Sequence, residues 1–335
     1  MSSPEPAPPP TSRSPEIVAL AGGVGAGKFL RGLDRVARAD GLRITVVVNT
    51  GDDLRIHGLR VCPDLDSVCY WLAGLMDRDR GWGRADETFH AIEAMRDAGV
   101  DAWFALGDRD LGTHLRRTEL LRGGATLSEA TDMIATAFGV VPRVLPMTDD
   151  EVTTRIDVLD PEADGGARDL HFQEYWVRRR AADPVKQVRY TGAARAVAQP
   201  AAIEALERAE AIVVCPSNPV ASIAPILAVP GYRKALAARR EVVVGISPIV
   251  AGAPLAGMAD RLMPVAGLEV SALGAAQAYE GLLGSWILDE RDRGLAGRIE
   301  HELGLRTAAT DTIMVDDARA GALARIALSL AREQG

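Results

Sequence analysis

The chain has 335 residues, 47% of them hydrophobic, enough for one large domain or two ordinary ones with a substantial core. A formal net charge of −8 argues against a general nucleic-acid binder, and no stretch reaches the roughly eighteen apolar residues of a membrane span. Cys62, Cys69 and Cys215 lack metal-knuckle spacing and read as reduced small hydrophobes; with no secretory signal at the N-terminus, a cytoplasmic setting is expected.

Residues 1–15, MSSPEPAPPPTSRSP, read as a disordered proline-rich lead-in to a single α/β domain spanning 16–335. Residues 17–20 form a short uncharged apolar run that suits a strand covered on both faces. The run ends in Gly22, Gly23, Gly25 and Gly27, and a helix is expected to begin near Lys28, burying Phe29, Leu30 and Leu33. A strand, a glycine turn and a helix N-terminus together make an anion site, most often for phosphate. Neither familiar motif is satisfied. Phe29 stands where a P-loop needs Ser or Thr, and Lys28 takes the third glycine position of the dinucleotide fingerprint counted from Gly23. Close strand–helix packing is the other use such glycines have.

A helix over 29–39 and a second buried strand over 42–49 complete a parallel strand–helix–strand unit, whose ligand crevice lies at the carboxyl ends of the strands. The second strand runs into Asn49-Thr50-Gly51-Asp52-Asp53, placing paired carboxylates at the same edge as the glycine turn. Asp64 and Asp66 precede a helical stretch over 68–75 and either could cap it. Aspartates converging from two loops on a phosphate site suggest Mg²⁺, which prefers carboxylates together with substrate phosphates. Residues 87–98 form an amphipathic helix with Phe89, Ile92 and Met95 on one face, and 101–106 read as a third strand. That run leads into a loop dense in charge, with Asp108, Arg109, Asp110 and His114, then Arg116 and Arg117, before a helix over 127–138.

Residues 152–190 change rhythm to alternating and aromatic-rich runs, which predicts an antiparallel excursion inserted at about 151–192. His171, Phe172, Tyr175 and Trp176 there suit either core packing or a platform for a flat ring. The α/β rhythm then resumes with a helix over 201–209, a strand over 211–215, the rigid loop Pro216-Ser217-Asn218-Pro219 and a helix over 221–227. A strand over 241–246, a small-residue helix over 267–284, short strands over 286–289 and 312–315, and a closing helix over 318–332 follow. The fold class expected is α/β: Rossmann-like, a mainly parallel sheet with helices on both faces and an inserted antiparallel unit.

Taken together, AGGVGAGKFLRGL, NTGDD, HGLRVCPDLDSV, WFALGDRDLGTHLRRTELLRGG, LHFQEYWV, CPSNPVASIAPIL and ISPIVAGAPLAG resemble the 2-phospho-L-lactate transferase family (CofD or FbiA) of coenzyme F-420 biosynthesis. The resemblance covers residues 17 to about 315, and departs from the family in the Gly25-Ala26-Gly27 turn. It implies a guanylyl-activated three-carbon acid as donor and the deazaflavin Fo as acceptor, whose terminal ribityl hydroxyl attacks the phosphate as GMP leaves. By motif, Asp52, Asp53 and Asp66 would hold Mg²⁺. Gly22, Gly23, Gly25, Gly27 and Lys28 would cradle phosphate, with Ser217, Asn218 and Ser222 on the guanosine side. Asp52, Asp53, Asp108, Arg109, Asp110 and His114 would face Fo, with Asp108, His114 and Arg117 at the reacting centre. The resemblance also implies a homodimer.

Two other readings compete. A P-loop-like kinase is opposed by Phe29. A non-catalytic nucleotide-sugar-binding regulator of the related gluconeogenesis-factor type would share the fold. Such a regulator has no need of an aspartate set beside the GDRDLGTH acceptor loop. No Ser–His–Asp or Cys–His set is evident, in keeping with phosphoryl transfer by positioning and charge neutralisation.

Overall fold

The computed structural model describes residues 15–163 and 165–333; apart from Pro15, the proline-rich lead-in expected at 1–15 lies outside the described residues. In chain order the first half comprises β1 (Glu16–Ala21), α1 (Gly23–Ala39), β2 (Arg43–Val48), a hairpin of β3 (Leu54–Ile56) and β4 (Leu59–Val61), and α2 (Pro63–Ala73). There follow α3 (His90–Asp97), α4 (Asp108–Arg122), α5 (Leu127–Ala137), β5 (Arg143–Pro146), β6 (Thr153–Leu159), β7 (Ala167–His171) and β8 (Val185–Thr191). The second half contains α6 (Pro200–Arg208), β9 (Ala211–Val214), α7 (Ala224–Ala228), α8 (Tyr232–Ala238), β10 (Val243–Ile246) and the two-residue strands β11 (Ile249–Val250) and β12 (Ala253–Pro254). It closes with α9 (Ala259–Leu262), α10 (Ala272–Gln277), β13 (Ser285–Asp289), α11 (Ala296–Leu303), β14 (Arg306–Thr310) and α12 (Asp317–Arg332).

The main sheet has seven strands in the order β14-β13-β10-β9-β1-β2-β5, every neighbouring pair parallel. Chain order reverses between β1 and β9, so this is the doubly wound arrangement and its crevice opens between the carboxyl ends of those two strands. Alternate residues of β1 feed two separate cores. Ile17, Ala19 and Ala21 pack with Phe29, Leu30 and Leu33 of α1 and with Leu323 and Ala327 of α12. Val18 and Leu20 pack on the other face with Ala202 and Leu206 of α6 and with Ile156 and Leu170 of the small sheet. Burial on both faces is why β1 reads as an unbroken apolar run rather than an alternating one.

The small sheet is antiparallel, in the order β7-β6-β8, as the alternating pattern after residue 151 predicts. Buried Phe172 and Tyr175 beside it belong to the core, whereas Trp176 is exposed.

Several expectations are corrected. Helix α1 begins at Gly23, not near Lys28, so most of the glycine turn is helix. Residues 101–106 form no strand: Ala102, Trp103, Phe104 and Leu106 pack instead on a local cluster with Leu54, Val61 and Ile92. The strand beside β2 is the short, unremarked Arg143–Pro146. The last strand lies over Arg306–Thr310 rather than 312–315. As a half-buried edge, RTAAT carries no apolar run to announce it. The helix expected over 221–227 splits into a wide π turn (Pro219–Ile223) and α7, and that expected over 267–284 is confined to Ala272–Gln277.

Candidate active site

Four segments meet at the crevice between β1 and β9. The first turn of α1 follows β1; the acidic loop of residues 49–53 follows β2; α2 supplies Asp64 and Asp66; and residues 216–222 follow β9. Neither Asp64 nor Asp66 caps its own helix with its side chain. Asp64 turns to α1, where Oδ1 accepts the Gly23 amide at 2.8 Å. Its Oδ2 accepts from Asn49 Nδ2 at 2.9 Å, and the same amide group donates to Asp52 Oδ1 at 3.2 Å. Asn49 therefore holds two buried carboxylates side by side.

The remaining two acids are already matched. Asp53 Oδ2 lies 3.0 Å from Arg60, and Asp66 pairs with Arg117, whose Nη1 donates at 3.0 Å. All four aspartates and both arginines are buried. Burial pushes Asp52 well above the usual carboxylate range, and the neighbouring Asp64 charge adds to the effect. Burial likewise raises Asp64 to about 6, against the opposing hydrogen bonds from Asn49 and Gly23. It raises Asp53 to about 6, against Arg60. Asp53 and Asp66 each have a guanidinium partner, whereas Asp52 and Asp64 face each other across Asn49 with no cationic partner among the described residues. Buried charge without a partner is costly.

Helix α4 brings the rest of the charged loop inward. His114 Nδ1 lies 3.6 Å from Asp66 and Nε2 3.3 Å from Asp110, so its ring sits between two carboxylates and beside Arg117. Tyr70 donates its hydroxyl to Asp110 at 2.6 Å. Burial alone would raise Asp110, but His114, Tyr70 and Arg117 outweigh it and hold this carboxyl low. Asp108 is different. Its exposed carboxylate accepts from Thr88 Oγ1, His90 N and Ala91 N, which depress its pKa and make it the cap of α3. Glu87 reciprocates, accepting the amides of Arg109 and Asp110 at the start of α4. The Arg109 guanidinium reaches back to the Ala85 carbonyl and lies near Asp86, away from the acidic cluster.

On the β9 side, Asn218 Oδ1 accepts the amides of Val220 and Ala221 and so shapes its own turn. Buried Ser222 lies against Gly22, and Ser217 earlier in the same turn is also buried. Gly25 and Gly27 are explained by packing. A Cβ at Gly25 would come 2.4 Å from the Pro216 carbonyl oxygen, and one at Gly27 would come 2.1 Å from Trp71 Cδ1. Lys28, half-buried, lies in the second turn of α1.

Of the eleven buried side-chain polar atoms without a hydrogen-bond partner among the described residues, six line this region: Thr50 Oγ1, Asp53 Oδ1, His114 Nε2, Arg117 Nε, Thr154 Oγ1 and Ser217 Oγ. Orphaned polar atoms gathered at one place mark a site rather than a core. Among the described residues no three His, Cys, Asp or Glu side chains are grouped as a ready-made metal site. Mg²⁺ is commonly held by one or two carboxylates with water and substrate phosphate, so the Asp52–Asp64 pair fits it.

The chain matches the family model for 2-phospho-L-lactate transferase CofD over residues 17–319. It belongs to the CofD family. Among its relatives, a phosphoenolpyruvate transferase of Streptomyces griseus is 46% identical over 320 residues, covering 95% of this chain and 98% of the relative. One from Mycolicibacterium smegmatis is 43% identical over 329 residues, covering 94% and 98%. A solved structure from the UPF0052 family of Bacillus halodurans superposes with a TM-score of 0.61 at 15% identity, covering 95% of this chain and 99% of that one. That likeness establishes the shared fold. Family membership makes this a phospho-acid transferase of coenzyme F-420 biosynthesis. Among the described residues, no helix is long and apolar enough to cross a membrane.

Sequence reasoning missed Asn49, Arg60, Tyr70 and Glu87, and weighed Asp64 only as a cap or cation ligand. Asn49 carried a signal, since a polar residue closing a buried apolar strand faces the crevice. Nothing local marks Arg60 or Glu87, whose partners are set by the fold.

Proposed function

We propose that this protein transfers a phospho-(three-carbon acid) group from a guanylyl-activated diphosphate donor to the terminal ribityl hydroxyl of the deazaflavin Fo, with release of GMP. The names of the relatives favour phosphoenolpyruvate over phospholactate or phosphoglycerate as the group carried. The observation that carries this reading is the buried Asp52–Asp64 pair at the β1–β9 crevice, without a cationic partner among the described residues, in a chain of this family.

In this reading Asp52 and Asp64 hold Mg²⁺, which when bound neutralises diphosphate oxygens and orients them. Asp53 and Asp66, expected from sequence to ligate it as well, complete the acidic wall while held by Arg60 and Arg117. With the Gly23 amide taken by Asp64, the following first-turn amides of α1 face the diphosphate, since the first N–H groups of a helix lack intrahelical partners. Lys28 adds positive charge, and Ser217, Asn218 and Ser222 line the guanosine side. The acceptor approaches from α4. Its hydroxyl oxygen forms a bond to the phosphorus bearing the acid while the bond from that phosphorus to the bridging oxygen of GMP breaks. Of the two candidate bases, Asp108 is committed to capping α3, so this reading keeps His114, which lies within the acidic cluster between Asp66 and Asp110. Little covalent help is needed for such a transfer.

The test is to supply purified protein with Fo, Mg²⁺ and each guanylyl donor in turn, and to weigh the products by mass spectrometry. Formation of the phosphoenolpyruvyl product with GMP is expected. Turnover of no donor, or product formation unaffected by chelating the cation, would reject the reading.

A further inference from the structure

Each strand of the small antiparallel sheet sends one hydrogen bond into the candidate site. From β6 the Thr154 amide donates to the Gly51 carbonyl at 2.7 Å. At the end of β7, His171 Nε2 lies 3.1 Å from the Asp53 carbonyl. The Gln173 amide donates to Nδ1 of the same ring at 3.0 Å, so Nδ1 is the acceptor, Nε2 carries the proton, and His171 donates to Asp53. From β8 the Tyr190 hydroxyl donates to the Val220 carbonyl at 2.6 Å. Thr154 pairs directly with Tyr190 and Arg155 with His171, so the three contacts issue from one end of one sheet. Two of them grip the acidic loop after β2; the third grips the turn after β9. Those loops hang from different strands of the main sheet, and among the described residues the hydrogen bond joining them directly is the long one from Asn49 Nδ2 to the Ala221 carbonyl, at 3.4 Å.

We propose that the antiparallel sheet is a clamp that sets the spacing between the acidic loop and the Ser/Asn turn, with His171 and Tyr190 as its positioning residues. The assignment rests on the proposed function in so far as those two loops bind the cation and the donor. Neither side chain needs to touch substrate. Each fixes a backbone carbonyl beside a residue that does, and misplacing a bound reactant by a small distance slows a reaction of this kind sharply.

Tyr190→Phe removes one hydroxyl; His171→Ala removes the donor; His171→Gln supplies another. Hydrogen exchange on the ligand-free protein is expected to quicken about 3- to 10-fold over 217–223 in Tyr190→Phe and over 50–54 in His171→Ala, the range for one lost hydrogen bond. Exchange in the main-sheet strands should stay unchanged, and His171→Gln should return the acidic loop toward wild type. Steady-state kinetics of the two single variants should show a raised KM for the donor, and the double variant should lose no more than the worse single one, because spacing once lost cannot be lost again. Losses that simply add, or a lowered Tm with exchange rising evenly over the chain, would overturn the clamp. If GDP with Mg²⁺ fails to protect either loop in the wild type, the transfer reading fails instead, while the ligand-free exchange data still decide the clamp.

Discussion

Asp64 accepts the amide of Gly23 at 2.8 Å, so a carboxylate occupies the helix terminus that a glycine-rich turn would be expected to offer to phosphate. An acid there is favourable to the helix dipole but repels a diphosphate. On the proposed reading, a divalent cation held by Asp52 and Asp64 would offset that repulsion.

Asp64→Asn keeps an acceptor for Gly23 and removes one like charge beside Asp52. Affinity for GDP with Mg²⁺ should fall about 10- to 100-fold, as for loss of a group that supports a metal site, while stability without ligand holds or rises. Calorimetric titration beside thermal melts checks both; unchanged Mg²⁺-dependent binding would remove Asp64 from the site.

Stability should also depend on pH in a defined direction. Asp53 and Asp64 are raised to about 6 by burial, so between their unfolded and folded pKa values the native chain holds more protons than the unfolded one. Their contribution is present below about pH 4 and is lost as pH rises through 6. A cation held by Asp64 on the proposed reading would displace its proton, so the gain in Tm on adding Mg²⁺ should be larger at about pH 8 than at about pH 5. A gain equal at both values would contradict the assignment.

Arg117→Met leaves Asp66 buried without its partner. Breaking a buried pair from one side costs about 3–5 kcal/mol, so urea midpoints should shift strongly. Restoring neutrality with Asp66→Asn in the same chain should recover part of the loss.

Asp108 and His114 separate by role. Asp108→Asn should lower kcat by less than about tenfold, whereas His114→Ala should lower it by about 10²–10⁴ if the imidazole takes the proton. The reverse ranking would return the base to Asp108.

Gly27→Ala gains helix propensity, yet the added methyl meets Trp71 Cδ1 at 2.1 Å. Overpacking of this kind costs about 1–3 kcal/mol and exceeds the gain of about 0.5–1 kcal/mol from replacing glycine in a helix. Denaturant titration of the variant against wild type measures the balance.

Much of the architecture was legible in the chain because periodicity is a local property. The uncharged runs at β1, β2 and β10 signalled strands buried on both faces, and the alternation after residue 151 signalled the antiparallel unit. Edge elements were not legible: β14 is half-buried along its length, and the Trp103–Phe104 run spends its apolar character on a local cluster instead of the sheet. The motifs likewise showed which loops gather at the crevice. Only tertiary structure could decide how the acids divide, with Asp53 and Asp66 matched to Arg60 and Arg117 and Asp52 and Asp64 left facing each other across Asn49. Pairing depends on distances between side chains far apart in sequence, and a pattern of residue types along a chain does not contain them.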